Sequence, residues 1–350
     1  MKKITVNASK QYDVLIGNDL LEKAGEICLN YIGRCKAAII TDSNVDALYS
    51  RTLEKSLIQA GYDVTKFVFK AGEQSKNINT LIDILNFLAD SDLTRSDCIF
   101  ALGGGVVGDI AGFAASVYLR GIRFVQIPTT LLSAVDSSVG GKTGIDLNSK
   151  KNIVGAFHQP SLVICDYSLQ DTLSDEIFHD GCAEVIKYGI INDKALFELL
   201  SDGFKENIEE IISFCVNNKR MIVEEDEFDT GKRQLLNFGH TIGHAIEKCS
   251  SFEISHGKAV AIGMIIVTKA AHKKGLCDHK TLESLISILK KAALPISCSF
   301  DSKELANVAL SDKKRKGDSI TLVVPYAVGD CRLYTLPVNE LESFIEKGLS

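Results

Sequence analysis

The sequence predicts an α/β fold in two parts: a domain built on a mostly parallel sheet over residues 1–170, then a mainly α-helical domain over 171–350. Three observations carry it. Short β-branched runs alternate with amphipathic segments as far as about residue 170. A glycine-rich turn joins one such run directly to a helix, and helix-length periodic segments then follow one another toward the end of the chain.

KAAIITD (36–42) reads as a buried strand and VDALYSRTLEKSLIQAG (45–61) as a helix closed by its glycine. VTKFVFK (64–70) is a second strand, and NINTLIDILNFLADSDL has apolar spacing near 3.6. DCIFALGGG is a strand running into glycines, DIAGFAASVYL a helix, RFVQIPTT a strand, and SLVICD (161–166) the last strand of the sheet. Strands and helices of these lengths imply a sheet covered on both faces. Beyond it, segments 173–200, 205–224, 235–249, 257–275 and 279–292 read as helices, with a β-like piece at 319–329.

Composition narrows the function. At 350 residues, 45% hydrophobic and 24% charged, with 5 prolines, this is an ordinary globular chain long enough for two domains. A net charge of −6 speaks against nucleic-acid or membrane partners, though not against a small anion held by local cations. The 10 cysteines are scattered without a C-x-x-C pair, and Lys2 and Lys3 are followed by no apolar stretch of the kind an export signal needs. AVAIGMIIV (259–267) is too short to span a bilayer. A cytoplasmic protein with reduced thiols is expected.

Gly103, Gly105 and Gly108 satisfy G-x-G-x-x-G in a strand-to-helix context, the Rossmann-like arrangement that lets backbone approach a pyrophosphate at a helix N-terminus. The acid that usually follows some 20 residues later, to bind a ribose, is missing; Asp42 is the nearest substitute, and Asp109 stands just after the last glycine. A second phosphate-like signal lies in VDSSVGGKTGID (135–146), where Gly141-Lys142-Thr143 completes the end of a Walker loop but Asp136 replaces its first glycine. The stretch is either a damaged triphosphate loop or a lysine held beside glycines for another phosphate.

NFGHTIGHAIE (237–247) puts His240 and His244 on one helical face, and His256 opens the next helix. Glu184 and Lys187 sit one turn apart in the otherwise apolar CAEVIKYG. One carboxylate and two imidazoles suffice for a zinc ion with an open position. The H-E-x-x-H pattern fails, because Thr241 stands where its base would be. Arg120, Lys142, Lys151, Lys187, Lys219 and Arg233 each flank a predicted element beside small residues, as cations gathered for an anion would. The run Lys313-Lys314-Arg315-Lys316 reads as an exposed loop unless it folds over a substrate phosphate.

Taken together, GGGVVGD (103–109), QIPTTLLSAVDSSVGGKTGI (126–145), KNIVGAFHQP (151–160), GCAEVIKYG (181–189), LLNFGHTIGHAIE (235–247) and HGKAVAIGM (256–264) resemble the 3-dehydroquinate synthases, in the same order from about Asp42 to Lys314. That resemblance implies a cytosolic homodimer that uses NAD and zinc or cobalt, with its active site in the cleft between the two domains. Its substrate would be 3-deoxy-D-arabino-heptulosonate 7-phosphate, an anionic seven-carbon sugar acid, converted to 3-dehydroquinate and phosphate. The route implied is transient oxidation at C5, phosphate elimination, return of the hydride and an intramolecular aldol closure.

By the same resemblance Glu184, His240 and His256 are the metal ligands, and His244 lies close to substrate. NAD would meet Asp42, Asn44, Glu73 to Lys76, Gly104, Gly105, Val106, Val107, Gly108, Asp109, Thr129, Thr130, Lys151 and the stretch Leu169, Gln170, Asp171 and Thr172, with Lys142 shared between cofactor and substrate. Substrate would meet Asp136, Lys142, Asn152, Lys187, Lys219, Arg233, Asn237 and a lysine at 313–314, and Arg120 would reach the phosphate across the dimer interface. On this basis the stretch 135–146 is a substrate segment, not a triphosphate loop. Three departures stand out: Lys150 for a glycine, Lys258 for an acid near the metal, and His179-Asp180 where smaller residues are usual. The rival expectation is a related NAD- and metal-dependent polyol or sugar-phosphate dehydrogenase, since these share a GGG-x-x-x-D turn and histidine ligands.

Overall fold

A computed structural model describes residues 1–148, 150–310, 315–316 and 318–350. The chain divides into two compact units, Met1–Leu173 with Cys215–Phe228, and Ser174–Phe214 with Asp229–Ser350. The first break falls three residues beyond the expected 170. The helical half is also interrupted, because the last part of the Ile208–Glu225 helix counts with the sheet. Asn7 donates to Glu224 and Ser9 to Glu227, both at under 3 Å from backbone nitrogen, and these long-range bonds tie that segment to the N-terminal hairpin.

The strands of the first unit are β1 (Lys2–Asn7), β2 (Gln11–Gly17), β3 (Lys36–Asp42), β4 (Asp63–Phe69), β5 (Cys98–Gly103), β6 (Arg123–Pro128), β7 (Lys142–Leu147), β8 (Lys150–Phe157) and β9 (Leu162–Asp166). Seven form one sheet in the order β1-β2-β9-β6-β5-β3-β4, all neighbours parallel except β1 with β2. Because side chains alternate along a strand, Ile39 and Phe100 face one core and Ile40, Ile99 and Ala101 face the other. Continuous apolar runs are what a sheet buried on both faces requires. Strand order reverses between β3 and β5, so the carboxyl ends of these two strands mark the crevice where open α/β sheets take ligands. Asp42 and Gly103 are their last residues.

Two hairpins escaped the sequence reading. One is β1–β2; β1 is an edge strand whose KKITVN pattern is mostly exposed. The other is β7–β8, whose facing glycines give almost no strand signal: a Cβ on Gly155 would lie 2.1 Å from the Thr143 carbonyl oxygen. His158, just past β8, stacks on Phe124 at 5.4 Å, and its Nε2–H donates to the Ile122 carbonyl at 2.9 Å. Burial lowers its pKa below 6.5. The unfolded chain therefore binds a proton that the folded ring refuses, and this contribution to stability, full above about pH 6.5, is lost as pH falls toward the folded pKa. Denaturant titrations from pH 7 to 5 should show a shallower loss of stability in His158→Gln than in the parent.

The second unit contains the helices Asp175–Asn192, Lys194–Leu199, His240–Cys249, His256–Lys273, His279–Lys291, Ser302–Leu310 and Leu341–Leu349, and the antiparallel strands Ser319–Ala327 and Asp330–Pro337. The expected single helix over 173–200 breaks at Asp193, whose carboxylate caps the next helix through Leu196 N–H at 2.9 Å. The His240–Cys249 and His256–Lys273 helices touch backbone to backbone through glycines. A Cβ on Gly263 would lie 2.1 Å from the Gly239 carbonyl oxygen. Among the described residues no helix is long and apolar enough to cross a membrane, and all 10 cysteines are free thiols.

Candidate metal centre and cofactor turn

Three side chains of the second unit converge. Glu184 is 1% exposed on the Asp175–Asn192 helix; His240 opens one helix and His256 the next. His240 Nε2 lies 3.3 Å and His256 Nε2 3.4 Å from Glu184 Oε1, while the Lys187 ammonium, also 1% exposed, pairs with Oε2. One donor atom from each of the three lies within 4.8 Å of the others.

Hydrogen-bond partners orient both rings. A backbone carbonyl only accepts, so the 3.0 Å contact of His240 Nδ1 with Phe238 O puts that ring's proton on Nδ1. His256 Nδ1 faces a carboxylate oxygen of Glu247 at 3.4 Å, which likewise accepts. Each ring thus turns its Nε2 toward the carboxylate. A carboxylate and two imidazole nitrogens that meet at one buried point call for positive charge, supplied by protons on the rings or by a cation among them. This donor set of one carboxylate and two imidazoles fits zinc or cobalt with a position left open. Burial pushes the His240 pKa down to about 4. Burial also opposes a charged His256, but hydrogen bonds to Glu184 and Glu247 outweigh it and raise that pKa to about 10. Burial works against the Glu184 anion too, yet Lys187 and His240 hold it well below the ordinary carboxylate range. The cluster demands positive charge.

Local sequence builds it. Gly239, at φ +78°, turns the chain into the His240–Cys249 helix; any Cβ there would strike Met264 and the Val260 carbonyl at 2.6 and 2.7 Å. Asp180, one of the departures noted above, accepts from the Ser255 hydroxyl at 2.5 Å and from Lys258 N–H at 3.2 Å, anchoring the helix start that presents His256. Lys258, the other departure near this centre, has its ammonium 2.5 Å from Glu176. Glu247, 2% exposed and seven residues beyond His240 on the same helical face, carries no motif of its own in the sequence. Lys313 and Lys314 lie outside the described residues, and His279 is an exposed residue paired with Glu283 at 3.2 Å.

In the first unit the glycine turn behaves as its pattern requires. A Cβ on Gly103 would meet Val107 at 2.4 Å and one on Gly108 would meet Gln126 at 2.7 Å, so helix and sheet pack only without them. Thr129 N–H donates to the Gly103 carbonyl at 3.0 Å, and Thr130 bonds Ser133. Asp42 caps the turn after β3 through Asn44 and Val45 N–H at 2.9 and 3.1 Å. The Tyr49 hydroxyl donates to Leu169 O at 3.0 Å and pairs with Thr172, while Gln170 is buried and Asp171 exposed.

Lys76, 4% exposed, joins two groups that the sequence reading kept apart. Its ammonium lies 2.5 Å from Asp109 and 2.5 Å from Asn152 Oδ1, and Lys151 stands 3.7 Å from Glu73. Burial raises the Asp109 pKa although Lys76 opposes the rise. Asp136, inside a π-helical turn over Ser133–Ser137, pairs with Lys219, whose ammonium also donates to the Asp136 carbonyl at 2.6 Å. Lys142 begins strand β7 and is exposed. A triphosphate loop would need a helix to start there, so that reading fails on structure as well. Arg120 is exposed at φ +67°; Arg233, in the second unit, is buried, and Asn237 is half-buried just before Gly239.

Two family models cover adjoining stretches: 3-dehydroquinate synthase N-terminal over residues 66–180 and 3-dehydroquinate synthase C-terminal over residues 181–315. The chain belongs to the 3-dehydroquinate synthase family. Among family members, the 3-dehydroquinate synthase of Clostridium acetobutylicum is 44% identical over 342 residues, 95% of this chain and 96% of that one. The fold is shared with 2-deoxy-scyllo-inosose synthase, solved in complex with carbaglucose-6-phosphate, NAD+ and Co2+, at a TM-score of 0.89 and 25% identity over 99% of this chain and 100% of that one. It is shared also with 2-epi-5-epi-valiolone synthase from Streptomyces hygroscopicus subsp. jinggangensis, solved with NAD+ and Zn2+ bound, at 0.87 and 25% over 99% of each. The expected fold and family are thus borne out.

Proposed function

We propose that the protein is a cytoplasmic, homodimeric lyase that converts 3-deoxy-D-arabino-heptulosonate 7-phosphate to 3-dehydroquinate and phosphate, using NAD and a divalent zinc or cobalt ion. The observation that carries this is the meeting of Glu184, His240 and His256 at one buried point, in a chain of the 3-dehydroquinate synthase family. When bound, the ion would supply Lewis-acid stabilisation of negative charge on substrate oxygen, and the dinucleotide a reversible two-electron acceptor.

The chain's own residues supply the rest. Glu184, His240 and His256 hold the ion, with Lys187 fixing the far oxygen of the carboxylate. The glycine turn after β5 offers backbone N–H groups to a pyrophosphate at the sheet's switch point, Asp42 fixes the turn after β3 beside it, and Lys76 and Asp109 hold the glycine turn against Asn152. Lys142, Arg233, Lys219 and Arg120 are assigned to the substrate's phosphate and carboxylate, and Asp136 holds Lys219 in place. His244 and Asn237, beside His240 in the sequence, are placed along the substrate chain to carry protons and fix a cyclising pose.

Incubation with the heptulosonate phosphate, NAD and zinc should release phosphate with no standing NADH. One NADH per turnover would favour a net dehydrogenase instead. Lys142→Ala should lower kcat/KM about 100-fold, the scale of losing one charge-stabilising donor, and impair NAD binding far less. Lost NAD binding with normal substrate affinity would reverse that assignment.

A further inference from the structure

We propose that Glu247 is a positioning residue of the metal centre, whose carboxylate sets the ring and tautomer of His256 so that Nε2 presents its lone pair beside Glu184. The inference rests on the reading of Glu184, His240 and His256 as ligands. Glu247 is 2% exposed, and its Oε2 lies 3.4 Å from His256 Nδ1. It shares a helical face with His240 and His244, at offsets of seven and three residues, so the same helix carries a ligand and the group that orients another ligand. A histidine that binds metal through one nitrogen needs an acceptor for the proton on the other, and a carboxylate in that place also makes the ring a stronger donor.

His244, Glu247 and His256 form a second set of three donors within 4.8 Å, which raises the question of a second ion. The two sets share His256. A neutral imidazole has one lone pair, so a ring that spends Nε2 on the first ion keeps its proton on Nδ1 and offers nothing to a second. That leaves two protein donors, His244 and Glu247, one fewer than a three-ligand site requires. Glu247 therefore serves the first ion at one remove.

The test compares Glu247→Gln, Glu247→Ala and Glu184→Gln in the full chain. Zinc affinity is read by chelator competition, metal content by elemental analysis, and ligand geometry by the visible spectrum after loading with cobalt. Glu247→Ala should bind zinc about 10- to 100-fold more weakly, with an altered cobalt spectrum and one ion per chain in the parent. Glu247→Gln, whose amide oxygen still accepts from Nδ1–H, should lose less, and it carries the test if the Ala variant fails to fold. Unchanged zinc affinity in both Glu247 variants overturns the proposal while leaving the metal reading intact. Two ions per parent chain and one in Glu247→Ala would establish a second cation site instead. Unchanged affinity in Glu184→Gln would overturn the ligand reading itself, and this inference with it.

Discussion

Glu184→Gln is expected to abolish stable metal binding and to cut turnover roughly 1,000-fold, the scale of losing several kcal/mol of charge stabilisation. An amide of the same shape replaces one oxygen with an NH2 group, removing the charge that Lys187 and both imidazoles are arranged around. It also removes the carboxylate charge paired with Lys187, 1% exposed, and breaking a buried pair costs up to about 3–5 kcal/mol. The variant should thus melt earlier as well as work poorly. His256→Ala should match it in metal content and rate. Elemental analysis beside a phosphate-release assay checks both, and a metal-free variant with full activity would contradict the ligand assignment.

Gly263→Ala should be nearly as damaging although it adds one methyl group and touches no ligand. The new carbon would lie 2.1 Å from the Gly239 carbonyl oxygen and 2.9 Å from Gly243 N. Both are backbone atoms of the next helix, so no rotamer change relieves the clash; the His240–Cys249 and His256–Lys273 helices must part. Overpacking of this kind costs about 1–3 kcal/mol or more. Since Gly239 sets the start of the helix that carries His240, separation also spreads the donors, and zinc affinity should fall with the melting temperature. Calorimetry with and without zinc measures the two effects. A variant with unchanged stability and unchanged zinc affinity would show that the helix contact does not position the site.

How far the sequence could be read follows from these same physics. Strands β3, β5, β6 and β9 were legible because a sheet covered on both faces needs near-continuous apolar runs, and AAII, CIFAL, LVIC and FVQI, the last interrupted only by Gln126, are such runs. The β7–β8 hairpin was not, because Gly144 and Gly155 are chosen for close backbone approach rather than strand propensity. The return of Cys215–Phe228 to the first unit rests on side-chain bonds such as Gln159 to Glu227 at 2.8 Å, which leave no local periodicity. At the candidate site, His240 and His244 were visible by their spacing and Glu184 by its apolar neighbours. Glu247 belongs to no ligand motif, and its offset of seven from His240 was the available signal. The junction of Lys76 with Asp109 and Asn152 joins residues far apart in the chain, and only the fold discloses it.

The central claim is that a hydride leaves the substrate and comes back to it. Substrate carrying deuterium at C5, turned over with NAD and zinc, tests this most directly. The account predicts 3-dehydroquinate that retains the deuterium at the carbon it started from, with phosphate released in equal amount and no labelled reduced dinucleotide left over. Deuterium lost to solvent, or recovered in accumulated reduced cofactor, would contradict it.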